Sequence, residues 1–118
     1  MSDQNNRRAD TRYTQHEVVS LTIIFTSQNP GLLGKTLKGN TIDVSASGLR
    51  IVLGTALPPD STIDVSIKLK DDPNKFFLSG KVRWCRETVE AGTYQVGVVL
   101  QDLINTETDL KRWKKTIK

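Results

Sequence analysis

The sequence predicts an all-β protein: a small antiparallel barrel closed by one C-terminal helix and preceded by a flexible N-terminal arm. Three observations carry that expectation. Apolar and polar residues alternate at period two in several short stretches, most cleanly where Ile63, Val65, Ile67 and Leu69 interleave with Thr62, Asp64, Ser66 and Lys68. Turn-forming clusters separate these stretches, with no βαβ rhythm and no internal repeat. Only the C-terminal segment changes to a helical spacing, with Leu110, Trp113 and Ile117 at i, i+3 and i+7.

Residues 1–15 are almost wholly polar, so the chain there has too little apolar surface to offset its ordering entropy and is expected to be a mobile arm. The barrel is expected over 17–101. Val18, Val19, Leu21, Ile23, Ile24 and Phe25 are rich in β-branched side chains and predict the first strand. Ser27-Gln28-Asn29-Pro30-Gly31 is a turn, because proline fixes φ and glycine tolerates positive φ. Lys35 to Val44 is a weaker strand, which Gly39-Asn40 is expected to interrupt as a hairpin or bulge.

Asp43-Val44-Ser45-Ala46-Ser47-Gly48 then forms a polar corner before a strand from Leu49 to Leu53. After Pro58-Pro59-Asp60 comes the strand of Ile63 to Leu69, ended by Asp71-Asp72-Pro73-Asn74. Phe76 to Arg86 is a longer strand with Phe76, Leu78, Val82 and Trp84 on one phase. Glu90-Ala91-Gly92 turns it into Tyr94, Val96, Val98 and Leu100. The helix is expected over 106–118, capped by Asn105 or Thr106, with acidic residues in its first turn and lysines in its last.

The totals bound the function. At 118 residues the chain is one domain, able to bury about two-thirds of its unfolded surface. A single cysteine, Cys85, excludes an internal disulfide framework and fits a reducing compartment. No apolar run is long enough to span a bilayer and no apolar leader stands at the N-terminus, so membrane insertion is not expected and a cytoplasmic location is. The net charge of +4 is concentrated toward the two ends, which suits a phosphate-bearing partner.

Catalysis finds thin material. His16 is the sole histidine, Cys85 has no evident base, and no metal-ligand spacing occurs, so an enzyme is not expected, nor a metal or catalytic cofactor. Asn29 to Thr36 ends like a phosphate-binding loop, but Asn29 stands where that pattern needs glycine and Gly39-Asn40 would break the required helix. Gly31-Leu32-Leu33-Gly34 imitates a GXXG clamp without the flanking helices.

The arm and the corner remain. An arginine fork suits phosphate oxygens and the O6/N7 edge of guanine, while a carboxylate such as Asp43 suits the opposite edge, where guanine presents N–H donors. Ser45 adds a hydroxyl, and Gly48 lets the backbone pass close to a ligand. On the residues alone, the plainer reading of a solvated arm and an ordinary Asx or Ser turn comes first.

The spacing adds to this. Arg8-xxx-Arg12, preceded by Arg7 and followed by Asp43-x-Ser45-xx-Gly48, resembles the paired RxxxR and [D/N]xSxxG motifs of bacterial PilZ domains, over nearly the whole chain. The resemblance implies a six-stranded antiparallel β-barrel that binds the second messenger cyclic di-GMP without catalysis and passes the signal to a protein partner. Arg8 and Arg12 would clasp guanine and phosphate groups, Asp43 and Ser45 a base edge, and Gly48 would shape the corner. Arg7 would favour an intercalated pair of ligand molecules. Trp84 shares the phase of Val82 and Leu78, which predicts core packing, yet in the family a tryptophan on a comparable strand can lie beside a base, so it joins the candidate ligand residues. The alternative is a small basic barrel that binds RNA or single-stranded DNA. Aromatics at 6% of residues weaken it, and no nucleic-acid polymer is expected.

Overall fold

Six strands close on themselves. The structure, a computed structural model, describes residues 11–14, 16–102 and 107–117. Its strands are β1 (Tyr13–Thr14), β2 (Val18–Phe25), β3 (Thr36–Ser45), β4 (Gly48–Leu53), β5 (Thr62–Ile67), β6 (Phe76–Glu87) and β7 (Tyr94–Leu100), followed by the helix α1 (Leu110–Thr116). All pairings are antiparallel, in the order β3-β2-β5-β6-β7-β4, and β4 pairs back onto β3 to complete the ring. Closure removes the free edges that a sheet of this size would otherwise expose. β1 stands outside the ring and adds to β3, with Tyr13 opposite Val44 and Thr14 opposite Asp43.

The alternation read from the sequence is the inward phase of the barrel. Ile63, Val65 and Ile67 of β5 are buried together with Leu21 of β2, Ile51 of β4 and Leu78 of β6. Among the described residues, no helix is long and apolar enough to cross a membrane.

Three expectations change. Gly39-Asn40 does not interrupt β3, which runs unbroken through both residues. A Cβ at Gly39 would lie 2.6 Å from the carbonyl oxygen of Val52 and 2.5 Å from Leu53 Cδ2, so this glycine marks a close crossing of strands rather than a turn. The helix begins at Leu110, not near residue 106, and Asp109 precedes it without acidic residues in its first turn. The Asp109 carboxylate instead accepts from the backbone N–H of Phe77 (2.8 Å), while the Asp109 N–H donates to Phe77 O (2.9 Å). The expected caps Asn105 and Thr106 lie outside the described residues. Of the expected arm, residues 1–10 and 15 lie outside them too, and Tyr13–Thr14 is strand rather than free chain.

The apolar stripe of the helix docks as the spacing predicts. Trp113 is fully buried, its ring meeting Phe76 edge-on with centroids 5.2 Å apart. Its indole N–H donates to the carbonyl oxygen of Ser45 at 2.9 Å. Helix and polar corner are therefore joined through one buried side chain.

Candidate functional site

The corner Asp43 to Gly48 is the hairpin between β3 and β4, with Ala46 and Ser47 at its tip. The tip is fastened from outside: Leu100 donates its N–H to Ser47 O at 2.8 Å. A Cβ at Gly48 would stand 2.7 Å from Val98 O, so the backbone of β4 passes β7 too closely for any side chain there. The need for glycine at this position comes from strand packing.

Two bulges interrupt the ladders near this hairpin. On β3, Thr41 pairs with Ile51 and Asp43 with Arg50, so Ile42 is the extra residue. On β6, Val82 pairs with Val98 and Trp84 with Gly97, so Arg83 is the extra residue. A bulge shifts the inside–outside alternation by one and re-aims the side chains beyond it. Cys85 consequently takes the inward phase and packs against the core, and Trp84 turns to the outer face. The core packing expected for Trp84 from its phase is therefore not what is found; the extra residue breaks the phase.

The result is a transverse row across the barrel wall. Asp43 lies opposite Arg50, Arg50 opposite Gly97, and Gly97 opposite Trp84. Gly97 supplies the bed for the indole: a Cβ there would fall 2.3 Å from Trp84 Cε2 and 2.4 Å from Nε1. The guanidinium of Arg86 stacks over the Trp84 ring, 4.6 Å from its centroid. Above the row opens a cleft of about 460 Å³, lined among others by Arg12, Gly48, Arg50, Arg83, Trp84 and Gly97.

Beside the cleft, two of its lining arginines meet on one carboxylate. Asp43 is 7% exposed. Arg50 donates from Nε to both carboxylate oxygens, at 3.0 Å to Oδ1 and 2.9 Å to Oδ2, and from Nη2 to Oδ2. Arg12 donates from Nε to Oδ1 at 2.9 Å and from Nη1 to Ser45 Oγ at 3.2 Å. The Arg50 fork is the main reason that the Asp43 carboxyl is held below its ordinary range, with Arg12 adding to it against the opposing effect of burial. Arg50 in turn is raised by its bond to Asp43. With Arg83 exposed across the cleft and no acidic side chain lining it among the described residues, the site favours an anion.

Of the residues expected from the sequence, Arg12, Asp43, Ser45, Gly48 and Trp84 converge on this cleft or on the hairpin beside it, and Arg7 and Arg8 lie outside the described residues. Sequence reasoning missed Arg50, Arg83 and Arg86 as site residues. A signal for Arg50 was present: a hairpin with two residues at its tip sets Ser45 against Gly48 and hence Asp43 against Arg50. The phosphate-loop lookalike is a short 3₁₀ turn at Pro30–Leu32 that runs into β3, with no helix to receive a phosphate.

Barrel, closing helix and arginine-lined cleft beside a polar hairpin define the class of molecule. A family model for the PilZ domain matches residues 6–114, and the chain belongs to the PilZ domain family. Several solved structures share its fold. The inhibitor of motility MotI/DgrA of Bacillus subtilis superposes with a TM-score of 0.66 at 14% identity, over 93% of this chain and 49% of that one. The PilZ domain of YcgR from Escherichia coli, solved with c-di-GMP, superposes with a TM-score of 0.60 at 14% identity, over 92% of this chain and 86% of that one. The chain thus spans about half the length of the Bacillus protein. No curated protein matches the sequence.

Proposed function

We propose that the chain is a receptor for cyclic di-GMP, acting as a non-catalytic effector in the bacterial cytoplasm. The observation that carries this reading is that Arg12, bonded to the Asp43–Ser45 corner, and the Trp84 shelf on Gly97 line one cleft beside that corner. Asp43 and Ser45 accept the N–H donors of a guanine edge, Gly48 keeps the hairpin close to β7, and Trp84 offers its ring beside the base. Arg12, with Arg8 by the family resemblance, takes phosphate and base oxygens through charge-assisted bonds. Arg7 supports an intercalated pair of ligand molecules.

The switch follows from Asp43 already having partners. Arg12 bonds Asp43 and Ser45, so a guanine at this corner competes with it and displaces it. The arm then rearranges around the ligand and presents a changed surface to a downstream protein. Membership of the PilZ family supports this reading over an RNA or single-stranded DNA reader. So do the aromatics: Trp84 lines the arginine cleft, whereas exposed Phe77 lines a separate one.

Isothermal titration with cyclic di-GMP tests it. Arg12→Ala or Asp43→Ala removes a charge-assisted hydrogen bond of about 1.5–3 kcal/mol and should weaken binding about ten- to hundredfold. Absence of binding heat from the unmodified protein would refute the receptor reading. Unchanged affinity in either variant would remove that residue from the site.

A further inference from the structure

Arg50 belongs to neither family motif, yet it makes the most extensive contact to the residue on which base recognition depends. It stands on β4 between Leu49 and Ile51, both fully buried, in direct register with Asp43. Arg12, by contrast, reaches Asp43 from the residue before a two-residue strand. The two partners also divide the carboxylate. Oδ2 receives Nε and Nη2 of Arg50, whereas Oδ1 receives Nε of Arg50 and Nε of Arg12. A carboxylate has about four acceptor positions, so departure of Arg12 opens one on Oδ1. The opened position lies on the side of Ser45 Oγ, since one guanidinium touches both.

We propose that Arg50 is the positioning residue of the site: it stays on Asp43 when Arg12 leaves, aims Oδ1 at the ligand, and thereby sets the choice of guanine over adenine. The inference rests on the cyclic di-GMP reading above. Guanine presents N–H donors along the edge that meets Asp43, whereas adenine presents a ring nitrogen acceptor there. An ionised carboxylate only accepts hydrogen bonds, so it binds the first and repels the second. A protonated Asp43 would donate and lose that discrimination. Among the described residues, the charged groups facing Asp43 are Arg12 from the arm and Arg50 from β4, with Arg83 across the cleft on β6. Of the two described arginines bonded to Asp43, Arg50 is the one that remains once the ligand has claimed Arg12.

The test is calorimetric titration of unmodified protein, Arg50→Gln and Arg50→Lys with cyclic di-GMP and cyclic di-AMP between about pH 7 and pH 5. The Arg50 side chain is 40% exposed, so both substitutions leave the barrel core intact. Arg50→Gln should weaken cyclic di-GMP about tenfold or more. Its affinity should decline further as the pH falls, and its preference over cyclic di-AMP should narrow. Arg50→Lys keeps the charge but not the fork. It should recover part of the affinity and the flat pH profile of the unmodified protein. Arg50→Gln with unchanged affinity, preference and pH profile would overturn the assignment, as would Arg50→Lys with the pH-sensitive profile expected of Arg50→Gln. Failure of the unmodified protein to bind cyclic di-GMP is a different result: it would refute the receptor reading itself, and this assignment with it.

Discussion

Gly97→Ala puts the shelf of the cleft to a direct test. A methyl at this position would lie 2.3, 2.4 and 2.7 Å from three atoms of the Trp84 indole, so the ring must lift away. Trp84 is half-buried and outward-facing, which gives it room to move. A tryptophan buries about 150–250 Å² when covered, so lifting a half-covered ring returns roughly 100 Å² to water. At about 25 cal/mol per Å² that costs about 2.5 kcal/mol. Replacing glycine in a strand recovers about 0.5–1 kcal/mol of chain entropy. The net loss should be about 1.5–2 kcal/mol, lowering the melting temperature by about 5–8 °C. Acrylamide quenching reads the ring itself, because Trp113 is fully buried and contributes a constant background. Quenching should rise in Gly97→Ala while the urea midpoint falls. Unchanged quenching together with an unchanged midpoint would show that the indole does not rest on Gly97.

Two further outcomes concern the corner. The Asp43 carboxyl is held below its unfolded value of 3.8, so the stability it contributes is present above that value and is lost as the pH falls through the lower folded value. Asp43→Asn should flatten this part of the acid dependence in urea midpoints measured from about pH 6 to pH 3; an unaltered acid profile would mean that the ion pair does not couple to folding. Trp113→Phe removes the hydrogen bond to Ser45 O and leaves a void beside Phe76, at a cost of about 2–4 kcal/mol in chemical unfolding, and should weaken cyclic di-GMP binding by loosening the hairpin. Full affinity in this variant would show that the helix does not support the corner.

Much of the fold can be read without coordinates because barrel strands write their inward phase into the sequence. The stretch from Thr62 to Leu69 does so without interruption, and its apolar positions are all buried. The helix stripe of Leu110, Trp113 and Ile117 is equally plain, since Trp113 and Ile117 are buried and Leu110 packs against the core. Local patterns misled where the cause was a distant strand. Gly39 looks like punctuation, yet its reason is the approach of Val52 and Leu53. Trp84 looks inward, yet the extra residue Arg83 turns it out. Neither an approach between strands nor an added residue in a ladder leaves a mark at short range.

Sequence by itself determined the six barrel strands, the polar corner and the paired motifs that resemble those of the family, because period-two alternation, turn chemistry and motif spacing are local properties. Only the tertiary structure decided what that corner faces. The hairpin sets Asp43 against Arg50, but only barrel closure and the bulge at Arg83 bring Gly97 and Trp84 into the same row, four strands in all. Register between strands is a collective property of the closed sheet, and one added residue reverses the face of every side chain beyond it.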